Sequence, residues 1–145
     1  MLAIIIIIIG GWYVYSGNVS TNQGSAAVAT DVSPGLDAAM KAGYDMAGTW
    51  QSTEDSKSVR VFKDDHTVAD VYDGETLSSG QWATFTKATA PEVQFPLEEG
   101  KVYMQIVDSG ETHETYDYIV SNINATDLQL IYLGRGGALN YKRVK

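Results

Sequence analysis

Side chains able to do acid–base, metal or anion chemistry are few and scattered in this sequence. There are two histidines. His66 sits in Asp64-Asp65-His66-Thr67, a turn that calls for a residue tolerant of left-handed backbone. His113 lies between Glu111 and Glu114, but no His-Glu-x-x-His or comparable ligand spacing accompanies it. Asp64, Asp65, Asp70, Asp73 and Glu75 form an acidic hairpin. Calcium binds such oxygen clusters, yet the spacing is not that of an EF-hand loop, so these read as solvated turn carboxylates. Accidental carboxylate pairs are frequent in so acidic a chain and carry no glycosidase signal. There is no Gly-x-Ser-x-Gly elbow, and the glycines around Arg135 do not lead from a strand into a helix as a phosphate loop requires. No catalytic residue, metal site or cofactor is predicted, and the chain reads as a non-enzyme.

The aromatic residues are more informative. Trp82, Phe85, Tyr103, Tyr116, Tyr118, Tyr132 and Tyr141 all fall on segments with strand character. Core filling and cross-strand pairing account for many such residues. The functional reading is an amphipathic pocket in which tyrosine hydroxyls and the in-strand Arg60 orient a small ligand. Arg60, Tyr103, Tyr116 and Tyr118 are the candidate ligand-binding residues.

Short alternating segments must position these side chains. From Gly48 onward they recur every 8–12 residues between turn clusters such as Tyr72-Asp73-Gly74-Glu75 and Asp108-Ser109-Gly110. The predicted strands are 48–52, 58–63, 67–72, 79–87, 92–96, 101–107, 115–121, 127–133 and 139–144. No helix of core length fits between them, which excludes parallel βαβ units. An antiparallel meander this long manages its edges best by closing, so the fold class is all-β: an up-and-down antiparallel β-barrel of about eight strands over residues 45–145. A short helix is predicted over 34–44, with Ser33 as cap, Pro34 in the first turn and Gly43 at the stop. Leu36, Met40 and Tyr44 line one face of it.

The first residues set the expected location. Residues 1–15 run through six consecutive isoleucines and end in Trp12-Tyr13-Val14-Tyr15, with no charge before Asp31. The run is shorter than the ~20 residues of an ordinary spanning helix and lacks the basic start of a secretory signal. It is read as an N-terminal apolar anchor helix with an aromatic interfacial belt. Residues 16–33 are small and polar, a flexible linker reaching roughly 20–25 Å by random-coil scaling. Lys and Arg are absent from residues 1–40, so nothing holds the following domain in the cytoplasm. The expectation is a membrane-anchored protein with an extracytoplasmic C-terminal domain, or a secreted one if the segment is cleaved. Asn18-Val-Ser20 and Asn124-Ala-Thr126 match the glycosylation sequon.

Among 145 residues the formal net charge is −8. Basic residues form no stripe that could displace counterions from phosphates, so no nucleic-acid partner is expected. Cysteine is absent, which removes disulfides, thiolate metal sites and a cysteine nucleophile.

Gly48-Thr49-Trp50 opens the first strand directly after a short helix, and Tyr141-Lys142-Arg143-Val144 closes the last. This combination resembles the lipocalin and fatty-acid-binding superfamily, the calycins, and the stretch 128–144 resembles the ending of small bacterial lipocalin-like domains. The resemblance covers residues 48–145 and implies that Trp50 plugs one barrel end while Arg143 packs across its indole. It also implies a binding module for a small apolar or amphipathic ligand. The alternative is a filled barrel that contacts an envelope protein, since about eight strands leave an interior only just wide enough for side chains.

Overall fold

The computed structural model describes residues 34–145. The anchor and linker expectations, over residues 1–33, lie outside the described residues. Helix α1 (Pro34–Met46) is followed by β1 (Gly48–Ser52), β2 (Ser58–Phe62), β3 (Thr67–Tyr72), β4 (Glu75–Thr86), β5 (Val102–Asp108), β6 (Thr115–Ile123), β7 (Asp127–Tyr132) and β8 (Ala138–Arg143). Each strand pairs antiparallel with the next, and β1 pairs with β8, so the sheet closes as an eight-stranded up-and-down barrel compatible with a lipocalin-like fold. Closure leaves no strand edge open.

The register fixes which side chains point inward. Trp50 pairs with Arg60, Arg60 with Asp70, and Asp70 with Ser78, so one inward ring crosses four strands. A second chain runs through Trp82 and Ile106 to Tyr116. A third runs through Met104 and Tyr118 to Tyr132. The core collects at one end, where Met46, Trp50, Phe62, Met104, Leu128 and Leu130 are nearly or wholly excluded from solvent. Phe62 meets Trp82 edge to face at 5.3 Å, the arrangement favoured by ring quadrupoles.

Helix α1 closes this end. Ala39, Ala42 and Met46 are buried, at the spacing that puts them on one helical face. The small residues allow close approach: Thr84 Oγ1 donates to the Ala39 carbonyl at 2.6 Å, and a Cβ on Gly43 would sit 3.2 Å from that hydroxyl. Gly43 is therefore inside the helix rather than its stop. The left-handed φ is taken by Gly48, at 141°. Of the face expected from sequence, Leu36, Met40 and Tyr44 lie outside the described side chains.

The predicted strand at 92–96 is not a strand. Pro91 and Pro96 remove ladder donors at its borders. The segment between β4 and β5 instead crosses the outside of the barrel, where Phe95 packs on Tyr103 at 5.6 Å and the Glu98 N–H donates to the Tyr103 hydroxyl at 2.9 Å. In turn β4 begins earlier than expected, at Glu75, because Leu77 is an extra residue at a register shift opposite Asp70 and Val71. Among the described residues no helix is long and apolar enough to cross a membrane.

Candidate functional site

Opposite α1 the barrel is open. Its mouth is bounded by the ends of β3, β5 and β7 and the starts of β4, β6 and β8. There a cavity of about 210 Å³ is lined by Arg60, Asp70, Ser78, Asp108, Tyr116 and Tyr118, with Val68 and Ile106 beneath. A shallower depression lies beside it, between Tyr116, Tyr118 and Tyr132 and the β7–β8 connection with Arg135. The two share Tyr116 and Tyr118 as a common wall.

Arg60 is the central polar group of the lining. Its side chain is only 12% exposed, and it makes a two-pronged pair with Asp70, Nε to Oδ1 at 2.5 Å and Nη2 to Oδ2 at 2.8 Å. Such a fork is the strongest geometry available to a guanidinium and a carboxylate. The Tyr118 and Tyr141 rings stand 5.8 and 6.0 Å from the guanidinium carbon. Burial works to lower the arginine pKa, but the Asp70 bond and the neighbouring phenols and carboxylate outweigh it, and the net shift is upward. Arg60 is thus a fixed cation. Its Nη1 is buried and has no hydrogen-bond partner among the described residues. A buried donor without an acceptor costs roughly 1–3 kcal/mol.

Tyr118 and Tyr141 flank the guanidinium. Burial pushes the Tyr118 and Tyr141 phenols up, against the pull of Arg60. Tyr116, nearer the rim, donates to Glu114 Oε2 at 2.6 Å, and this bond first, then desolvation, raises its pKa to about 12. A phenol held protonated in the folded chain favours folding below its unfolded pKa of ~10. That contribution is lost as pH rises from there through about 12. Ultraviolet titration of the phenolates is therefore expected to show a late group of tyrosines, Tyr116 with Tyr118 and Tyr141, and Glu114→Gln should return the Tyr116 part of it towards the ordinary range. An unchanged late group in that variant would mean that Tyr116 is not part of it.

The structure thus brings Arg60, Tyr116 and Tyr118 to one cavity and takes Tyr103 away from it. Tyr103 pairs with Ile119, one register step from the Met104–Tyr118 pair, so its side chain faces outward. It is buried beneath the 87–101 segment and stacked on Phe85 at 5.6 Å. Tyr103 is corrected to a packing residue of the outer face. Asp70, read from sequence as a solvated turn carboxylate, is the partner of Arg60. A hairpin centred on Asp65 sets residues 60 and 70 opposite each other, which was the available signal. Tyr132, Ser78 and Asp108 also join the site.

The other end holds the Gly-x-Trp pair. Trp50 Nε1 donates to the Met46 carbonyl at 2.7 Å. The Arg143 guanidinium lies over the Trp50 ring at 4.1 Å. It donates to the carbonyls of Ala125 at 2.9 Å and Ala47 at 2.7 Å and to that of Asp45. Gly48 has no Cβ because Arg143 Nη1 occupies that space. These residues close the barrel and do not line the cavity.

Among the described residues no group of three or more histidines and carboxylates is placed to hold a metal ion. No protein-family model, curated protein or solved structure matches the chain.

Proposed function

We propose that the barrel is a binding module, and that its mouth takes a small apolar or amphipathic ligand with its polar end towards Arg60. The observation that carries this reading is a tyrosine-lined cavity whose wall includes Arg60, a guanidinium with one nitrogen, Nη1, buried and without a hydrogen-bond partner among the described residues. An acceptor on the ligand would satisfy a donor that the protein leaves open. The size limits the guest: about 210 Å³ falls below the ~300–1,000 Å³ of sites for drug-sized molecules, so a long acyl chain does not fit inside. The Trp50–Arg143 contact across the closed end supports a calycin-like reading of the barrel. The apolar run at 1–15 and the polar stretch at 16–33 support a membrane-tethered, extracytoplasmic setting.

Native mass spectrometry of the full chain purified gently from its own cells tests this. The expected result is a reproducible small-molecule adduct on the folded protein, lost on denaturation. A clean apo mass, together with co-purification of an envelope protein, would instead favour an interaction domain. One observation favours that second reading: Tyr72 and Leu77 are 42% and 70% exposed at the β3–β4 hairpin while the barrel below is packed.

A further inference from the structure

The charge of the molecule is concentrated at the mouth. The connections there, 53–57, 73–74, 109–114 and 133–137, carry Glu54, Asp55, Asp73, Glu111 and Glu114 against Lys57 and Arg135. Glu75, Asp70 and Asp108 add to them from the adjoining strand ends. At the opposite end Lys63, Lys87, Lys101, Lys142 and Arg143 nearly offset the acids. Lys57 is already held by Asp73 at 2.9 Å, and exposed Arg135 lines only the shallower depression.

Inside the cavity the balance is the same. Among the described residues Arg60 is the only cation lining it, and Asp70 neutralises it at contact. Asp108 also lines the cavity, and Glu114 sits at its rim on the Tyr116 hydroxyl. An anion entering would meet these carboxylates and a guanidinium whose field is already cancelled. A cation would be drawn by the rim, and tyrosine faces add to its attraction once it is desolvated. The buried, unpartnered Nη1 of Arg60 asks for the opposite chemistry, a lone pair.

We infer that the ligand is a small bipolar molecule, an organic ammonium at its outer end and an oxygen acceptor at its inner end. This rests on the small-ligand reading above. The acceptor meets Arg60 Nη1, while the ammonium lies among Asp108, Glu114 and the tyrosine rings. The two demands come from independent observations, a buried unpartnered donor and a rim of excess carboxylate.

Isothermal titration of the full chain with three matched probes, γ-aminobutyrate, butylamine and butanoate, tests the inference. γ-Aminobutyrate is expected to bind tightest and butylamine measurably. Butanoate should be at least ~10-fold weaker than γ-aminobutyrate, and the preference for the ammonium should shrink with added salt. Asp108→Asn should weaken both ammonium probes by roughly 3–10-fold and spare butanoate, as a single rim charge does. The asparagine keeps the Oδ1 that accepts the Gly110 N–H at 2.5 Å, so the turn survives. Tightest binding of butanoate would overturn the charge assignment and leave the small-ligand reading standing. Binding of none of the three would overturn the inference. The small-ligand reading would then be judged separately, by whether native mass spectrometry shows an adduct of another chemistry.

Discussion

Asp70→Ala is expected to destabilise the chain by about 2–3 kcal/mol, measured as a fall in the urea midpoint at unchanged slope. Removing one partner of a buried ion pair strands the other charge, and the usual cost is ~3–5 kcal/mol. Asp70 is itself 38% exposed, so water screens part of that and the lower figure applies. Against a total of roughly 5–15 kcal/mol the loss is large. The pair is not there because it stabilises: Arg60→Met combined with Asp70→Leu should return to within about 1 kcal/mol of the parent. If the pair serves binding, that double variant folds but retains no ligand adduct. A loss below ~1 kcal/mol for Asp70→Ala alone would mean that water from the mouth already solvates Arg60.

Trp50→Ala is expected to cost more, about 3–5 kcal/mol. Trp50 is completely buried among Met46, Phe62 and Leu128, and its removal leaves a cavity at the junction of α1, β1 and β8. Trp50→Phe keeps much of the volume but leaves the Met46 carbonyl without its donor, a loss of about 1–2 kcal/mol. Arg143→Met falls between them, because it removes the cation over the indole and the bonds to the carbonyls of Asp45, Ala47 and Ala125. Chemical denaturation of the three variants checks the order. An Arg143→Met variant as stable as the parent would mean that water replaces the arginine at those carbonyls. It would also mean that barrel closure rests on the β1–β8 ladder alone.

The eight strands of the barrel were legible because turn chemistry punctuates the chain: Asp73-Gly74, the glycine at 100 and Asn124 each sit where a chain reversal follows. The 92–96 segment misled because its alternation is genuine. Phe95 does pack inward against the barrel, but on a strap whose prolines keep it out of the ladder. Tyr103 misled for a related reason. Its burial comes from that strap and not from the barrel interior, and no periodicity in β5 announces a cover formed by another segment.

The sequence by itself determined the all-β class and the antiparallel order of neighbouring strands, because short loops and local alternation leave few other topologies; Trp50 and Arg143 at the closed end were implied by the calycin resemblance and not by that patterning. It did not determine which face of β2 looks inward. Val59 and Val61 are the more apolar set, so alternation alone favours them for the core, and Arg60 is expected at the pocket only as a polar handle among the tyrosines. The tertiary structure turns the other set inward: pairing of Arg60 with Trp50 on one side and Asp70 on the other places the guanidinium inside. A buried charge is tolerable only beside its counter-charge, and that neighbour lies ten residues away on another strand. The candidate site therefore exists only once the hairpin closes, because its defining feature is a relation between strands rather than a property of any one of them.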